Sequence, residues 1–249
     1  MNSLDFKLEN LANDFRIKNG FNLSESIPIR SILQKNNILT VYLPLSTGFS
    51  GMAIKNTTSE TTKRFLLVNS NHTIGRQHFT ICHELYHLYY QANFTSSNSN
   101  AGTFNKNGDP EEFNADLFAS FLLLPTAGIG QMIPEIEFAK NKITLKTILS
   151  IEQYYSCSRS ALLNRLKNMG RIDSLLMNSF SVDKIKNAML YGYNTDLYKP
   201  GNTGVIIGDY GTLAHGLFEK GVVSESAYFS LLEDLGLDLS ELDNKTDNE

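Results

Sequence analysis

The chain has 249 residues, of which 41% are hydrophobic and 19% charged, and its formal net charge is -4. These values exclude a collagen-like or largely disordered chain and argue against a protein dedicated to coating nucleic acid. The length favours one sizeable domain with a smaller appended unit. The start of the chain lacks the basic and apolar stretches of a secretory signal, and no segment has the apolar run of a membrane span. We therefore expect a cytoplasmic protein without membrane contact.

The first third of the chain predicts two short helices followed by a small sheet. Leucine and phenylalanine recur at three- and four-residue steps in the first 15 residues, which places them on one face of a helix that Asn19-Gly20 would end. A second short helix is expected over residues 26–33. Three β-rich segments separated by polar turns then predict a mostly antiparallel sheet, and they cover residues 38–45, 51–56 and 64–69.

Two apolar segments further along predict long helices in the core. Residues 74–90 contain no proline and only one glycine, near their start, as expected of a long helix. Residues 91–108 are rich in serine, asparagine, glycine and threonine and predict a mobile surface loop. The second helix begins at Asp109, a good N-cap, followed by Pro110, which suits the first helical position, and it runs to Pro125.

The sequence HELYH, in the middle of the first of these helices, indicates a metal site. His83 and His87 differ by about 40° of rotation around a helix, so both imidazoles leave the same face and can share one ion. Glu84 lies beside them, where a carboxylate can take a proton from a water molecule that the metal has acidified. So short a pattern also arises by chance on surface helices. Here the flanking residues are apolar, and buried histidines need partners.

The third metal ligand is predicted on the helix that follows Asp109. Glu112 is the best candidate, because Asp116 follows at i+4 on the same face and could orient a ligating histidine. Glu111 is the alternative, although its own i+4 neighbour is Ala115. Asp109 and Glu112 also form a capping-box pattern, so the Glu112 carboxylate could instead serve the start of the helix. Zinc is the expected metal, and manganese also suits two imidazoles and a carboxylate.

Together the two helices resemble a known family. RQHFTICHELYH (residues 76–87) and EFNADLFASFLLLP (residues 112–125) are similar to the RxFTxxHExGH and ExxAxxFAxxLLxP motifs of the ImmA/IrrE metallopeptidases. The resemblance covers roughly residues 1–170. It implies an α+β fold, with a zincin-like unit whose small, mostly antiparallel sheet packs on the HExxH helix, followed by a helical C-terminal region. Tyr86 departs from the usual glycine of the motif, and His78 stands where arginine is frequent.

The resemblance also implies an activity. His83, His87 and Glu112 would be the zinc ligands and Glu84 the general base of a gluzincin-like metalloendopeptidase. Members of the family often occur beside a helix-turn-helix repressor, in mobile elements or stress-response loci, and cleave it to relieve transcriptional repression. We therefore expect a protein substrate of that class.

Substrate contacts are predicted less specifically. The strand at residues 64–69 closely precedes the metal helix, and its edge could hold an extended peptide by main-chain hydrogen bonds. A hydrogen-bond donor to the oxyanion is also expected. The candidates are Tyr86, Tyr89, Tyr90, His78 and His215.

The rest of the chain predicts a basic two-helix unit and a helical C-terminal region. Seven basic residues lie between residues 140 and 171 against Glu152 alone. Residues 143–155 and 160–169 have the pattern of two helices joined by a short turn, as in a helix-turn-helix. Their apolar residues favour a packed unit with a solvated basic face, and DNA contact is the alternative. The chain is expected to be largely helical over residues 173–232, then acidic and frayed.

These elements divide the chain into three regions and leave two other functions open. The regions are a metallopeptidase domain (residues 1–135), a helix-turn-helix-like unit (residues 136–172) and a helical C-terminal region with an acidic tail (residues 173–249). The first alternative function is a DNA-binding regulator with a structural or inactive zinc site. The second is a sensor that binds a partner protein without cutting it.

Overall fold

A computed structural model describes residues 3–233 of the chain, and the acidic end that is expected to fray lies outside them. The described part is α+β, as predicted. Its helices are α1 (Ser3–Lys18), α2 (Ile29–Lys35), α3 (Ile74–Tyr89), α4 (Pro110–Leu123), α5 (Thr126–Met132), α6 (Leu145–Tyr155), α7 (Arg159–Asn168), α8 (Ser174–Phe180), α9 (Lys184–Leu190), α10 (Tyr210–Glu219) and α11 (Glu225–Glu233). Its strands are β1 (Ile38–Leu43), β2 (Gly51–Thr57), β3 (Thr62–Asn69), β4 (Ser96–Ser99) and β5 (Ile206–Ile207).

These strands form one sheet in the order β4-β2-β3-β1-β5. The β1–β3 pairing is parallel and the other three pairings are antiparallel, so the expected mostly antiparallel sheet is confirmed. β3 lies in the centre and is paired on both sides. The expectation that residues 64–69 offer an edge to a substrate is therefore wrong. β4 occupies one edge instead. It lies inside the segment predicted as a loop, and it was not predicted as a strand because its sequence, SSNS, lacks residues that favour strands.

The core is built around α3 and α4, which pack against each other, while α3 also contacts β2 and β3. α3 is buried along most of its length, because it lies between the sheet and α4. α4 begins as predicted, with the Asp109 side chain accepting a hydrogen bond from the Glu111 N–H at 2.8 Å. α1 packs on α4, where the buried Arg16 guanidinium donates to the Leu122 carbonyl at 3.0 Å. Among the described residues, no single helix has the length and hydropathy to cross a membrane, and α4 and α5 meet that test only as a pair bent by 44°.

Residues 199–207 tie the C-terminal region to α3 and to the sheet. The Ile74 N–H, at the start of α3, donates to the Lys199 carbonyl at 3.0 Å. The Gln77 side-chain amide donates to the Gly201 carbonyl at 3.0 Å. β5 then pairs with β1. This segment therefore covers the far edge of the sheet and fixes the beginning of α3.

The two helices predicted within the basic stretch are present as α6 and α7, and they pack into the body of the molecule. The turn between them lies so close to α3 that a Cβ on Gly75 would come within 2.7 Å of the Cys157 and Ser158 backbone. Buried residues of both helices belong to the same apolar core as the sheet. The division of the chain into three regions stays a prediction.

Gly128→Ala is expected to destabilise this packing. A Cβ on Gly128 would overlap the Tyr155 hydroxyl and the Ser24 carbonyl oxygen, which are hydrogen-bonded to each other at 2.5 Å. Overpacking of this kind costs about 1–3 kcal/mol, and urea denaturation should show that loss in the free energy of unfolding. Gly130→Ala on the same helix is the control, since no atom of residues 3–233 lies within 4 Å of its Cβ position. Equal stability of the two variants would contradict the prediction.

Candidate metal centre

One turn of α3 directs both histidines of HELYH to a common point. His83 and His87 are each 1% exposed, and their Nε2 atoms lie 3.1 Å apart. Glu112, on the first turn of α4, meets them there, with its Oε2 3.1 Å from Nε2 of His83 and its Oε1 3.3 Å from Nε2 of His87. One ligand atom from each side chain lies within 4.8 Å of the other two. These three residues, which we call the metal cluster, could hold a metal ion.

The Glu112 carboxylate faces the histidines rather than the start of its own helix. Asp109 caps α4 with its own carboxylate. Glu111 points in another direction, because its Oε2 accepts a hydrogen bond from the Tyr86 hydroxyl at 2.8 Å. Of the alternatives that the sequence leaves open, the geometry favours Glu112 as the third ligand.

Hydrogen bonds at Nδ1 orient both imidazoles. Asp116 Oδ1 lies 2.8 Å from Nδ1 of His83, as the i+4 argument predicts. Gln91 Oε1 lies 2.5 Å from Nδ1 of His87. A histidine whose Nδ1 is engaged in this way presents Nε2 to a metal. Gln91 was not predicted from the sequence, although its i+4 spacing from His87 carries a detectable signal.

Asp116→Asn is expected to weaken metal binding by about 10- to 100-fold. The carboxylate interacts with Nδ1 of His83 and accepts hydrogen bonds from the Gly102 and Phe104 N–H groups at 2.7 Å each. An asparagine has one oxygen to serve these three groups. Zinc titration in competition with a chelating dye measures the change. Asp109→Asn is the matched control, because asparagine and aspartate are equally good N-caps, and equal zinc affinity in the two variants would show that Asp116 does not support the cluster.

Glu84 is buried between α3 and the edge strand β4. Its Oε1 accepts a short hydrogen bond from the Ser99 hydroxyl, and its Oε2 lies 3.4 Å from the Ser97 hydroxyl. Gly51 on β2 leaves room for this carboxylate, since a Cβ there would lie 3.3 Å from Oε1 and 2.6 Å from the Thr80 side chain. Burial raises the pKa of Glu84, against the opposite effect of the neighbouring histidines. The serines were missed in the sequence, because a serine in a polar segment carries no signal of such a contact.

The charges around the metal cluster favour a cation. Burial lowers the pKa of His83, but its hydrogen bonds to Asp116 and Glu112 outweigh this effect and raise the pKa to about 10. Burial raises the pKa of Glu112, but the two histidines outweigh it and lower the pKa to about 2. Both shifts have the same cause, the attraction between protonated imidazoles and the carboxylates, and a metal ion could take the place of the proton between them. The donor set, two imidazole nitrogens and a carboxylate, fits a divalent transition metal.

A cleft of about 460 Å³ opens beside the metal cluster, between β4 and the start of α4. Ser97 and Asn98 line it on the strand side, and Glu112 and Phe113 line it on the helix side. The Glu112 side chain is 34% exposed, whereas both histidines are buried. A ligand in this cleft, which we call the metal cleft, therefore reaches the cluster from the Glu112 side.

The predicted oxyanion donors are hydrogen-bonded to other groups. Among these candidates in the described part of the chain, Tyr86 is the one that bonds to α4, through Glu111 and Asn114. The role of an oxyanion donor therefore stays a prediction. The observed partners are Glu111 for Tyr86, Asn36 for Tyr89, the Leu11 carbonyl for Tyr90, the Ser156 carbonyl for His78 and Tyr228 for His215.

Fold and site together define a metallopeptidase-type domain, in which two histidines and a glutamate converge beside a further carboxylate and an open cleft. The chain belongs to the Peptidase M78 family, because the family model described as the IrrE N-terminal-like domain matches residues 33–167, more than half of its length. The family resemblance of the two helical motifs is thereby confirmed. Peptidases of this family are metal-dependent. No curated protein matches the chain.

Proposed function

We propose that this chain is a zinc-dependent endopeptidase that hydrolyses a peptide bond in a protein substrate. The observation that carries the proposal is the convergence of His83, His87 and Glu112 beside Glu84, at the side of an open cleft. The three residues of the cluster would hold the ion. When bound, zinc or manganese supplies a Lewis acid that polarises the scissile carbonyl and lowers the pKa of a water molecule.

Glu84 would be the general base in this reaction. Its neighbours hold the carboxylate in place, since Ser99 and Ser97 contact its two oxygens from β4. From this position Glu84 would take a proton from the attacking water and deliver it to the nitrogen of the leaving amine. Asp116 and Gln91 would keep both imidazoles turned towards the ion.

The edge strand β4 is the proposed support for an extended substrate. Among the described strands, β4 pairs with β2 on one side only, and it borders the metal cleft. An extended peptide could add to its outer edge by main-chain hydrogen bonds, which would place a scissile bond next to Glu112. This proposal replaces the one made for residues 64–69, which are central in the sheet.

The proposed substrate is a helix-turn-helix transcriptional repressor encoded next to this chain. The support is the family resemblance of the motifs. The test is to incubate the purified repressor with the zinc-loaded protein and to search for fragments by mass spectrometry, with chelator-treated protein as the control. Metal-dependent cleavage at one bond is expected. An intact repressor that still forms a complex with the protein would favour the partner-binding alternative.

Direct DNA binding has less support, because part of the basic stretch is engaged inside the molecule. Arg159 is buried and pairs with Glu152 at 2.7 Å. Arg165 is buried and donates to the Leu124 carbonyl at 3.1 Å. These guanidinium groups are not available to phosphates. Binding to duplex DNA that weakens steeply with added salt would revive the alternative.

A further inference from the structure

A second cavity lies next to the metal cleft, and we call it the cationic cavity. It has a volume of about 530 Å³ and lies between the first turn of α3, residues 100–104 and the start of α7. Phe79 and Phe104, whose ring centroids are 5.9 Å apart, contribute an apolar wall. The volume is in the range of ligand-binding pockets.

The charged residues that line the cationic cavity are both basic. They are Arg76 and Lys184, and the residues lining the cavity in the described part of the chain include no aspartate or glutamate. Asp183, next to Lys184 in the sequence, is exposed and does not line the cavity. The whole chain carries a net charge of -4, so a cavity with two cations and no acid runs against its overall charge.

Arg76 has neutral hydrogen-bond partners at this position. Its Nη2 donates to the Ser50 hydroxyl at 3.2 Å and to the Asn100 side-chain oxygen at 3.1 Å. Within residues 3–233, neither Arg76 nor Lys184 lies within ion-pair distance of a carboxylate, although Lys184 interacts at longer range with the buried Glu152, whose pKa burial raises and Lys184 helps to lower. Burial lowers the pKa of Arg76. A partly buried guanidinium without a counter-ion costs free energy, and a bound anion would offset that cost.

The cationic cavity continues the metal cleft. Asn100 and Thr103 line both spaces. Asn100 directly follows β4 and also accepts the hydrogen bond from Arg76. A peptide lying along β4 and past its end therefore has a direct path from the metal cluster to Arg76.

We propose that the cationic cavity is a substrate subsite that binds the carboxylate of an aspartate or glutamate in the peptide held along β4. The inference rests on the proposed peptidase function. Arg76 supplies a planar donor group that suits a carboxylate, and Lys184 supplies a second positive charge. A free anion such as phosphate shares this chemistry, and the experiment separates the two sources.

The experiment selects peptides on the zinc-loaded Glu84→Gln protein, which holds peptides without turning them over. A displayed library of random peptides is bound to this protein, to the same protein with Arg76→Gln and Lys184→Gln, and to a control with Arg30→Gln and Lys186→Gln. Arg30 and Lys186 are exposed and do not line the cavity. Thermal unfolding with added inorganic phosphate is measured for all three proteins.

Enrichment of an acidic residue at one fixed position is expected for the parent and the control, with a loss of about tenfold in the cavity variant. Enriched peptides without an acidic preference, or with the same preference in the cavity variant, would overturn the subsite and leave the peptidase proposal standing. Stabilisation by phosphate that depends on Arg76 and Lys184, without an acidic preference, would assign the cavity to a free anion and overturn the proposal. A library that yields no bound peptide would overturn this proposal and also the proposal that the metal cleft binds a peptide substrate along β4.

Discussion

Glu84→Gln should lower the rate of substrate cleavage by about 10²- to 10⁴-fold while the protein keeps its metal. The glutamine has nearly the shape of the glutamate, and its amide oxygen can still accept from Ser99 or Ser97, which contact the carboxylate. It cannot take a proton from water. The loss should therefore fall on the rate and not on metal content or folding, which elemental analysis and circular dichroism measure alongside cleavage.

Glu60→Gln is the control for this change, since it removes a carboxylate from an exposed position in the β2–β3 turn. Its cleavage rate should equal that of the unmodified protein. If the Glu84→Gln protein holds zinc and cuts at the full rate, Glu84 is not the general base. Loss of zinc from that protein would instead indicate that the Glu84 carboxylate helps to hold the ion.

Replacing Glu112 by glutamine should lower the affinity for zinc by more than about 100-fold. Loss of a residue that only orients a ligand already lowers metal affinity by about 10- to 100-fold. The carboxylate lies within 3.3 Å of Nε2 of both histidines, and its amide replacement is a much weaker ligand. Elemental analysis after dialysis against a weak chelator should find about one zinc per chain in the unmodified protein and little in the variant.

Glu111→Gln is a matched control for that experiment. It removes the same charge one residue away, where the carboxylate accepts a hydrogen bond from Tyr86. Zinc content should therefore stay close to that of the unmodified protein. If the Glu111→Gln protein lost its zinc and the Glu112→Gln protein kept it, the assignment of the third ligand would be reversed.

The part of the site that lies on helices could be predicted from the sequence. His83 and His87 follow from helical periodicity, and Glu112 was preferred to Glu111 because Asp116 shares its face. The structure brings together the side chains of His83, His87, Glu112 and Asp116. The spacing of residues on a helix determines the directions of their side chains, so a helical motif of this kind predicts which side chains lie close together.

The part of the site that depends on the sheet could not be predicted. Ser99 contacts Glu84 only because β4 pairs with β2, and the sequence SSNS is more typical of a loop than of a strand. The position of β3 was inferred wrongly for a different reason. Its two neighbours, β1 and β2, were both predicted as strands, but β1 pairs in parallel with β3, and the three segments carry no signal of that strand order.

The charge of residues 140–171 illustrates a third limit. Counting charges cannot tell a solvated basic face from guanidinium groups that hold a core together. Arg159 and Arg165 belong to the second kind, because each is buried and bound to groups of its own chain. The number of basic residues in this pair of helices therefore overestimates the positive charge that the surface presents to nucleic acid.

The pairing of β5 with β1 determines the shortest fragment of this chain that is expected to stay folded without aggregating. The shared family domain spans residues 33–167, so a fragment cut to those limits would lack β5 and also α1, which covers α4. It would present the bare edge of β1 and an apolar helix face to other copies, an arrangement that promotes aggregation. A well-behaved fragment must therefore begin with α1 and extend at least through Ile207.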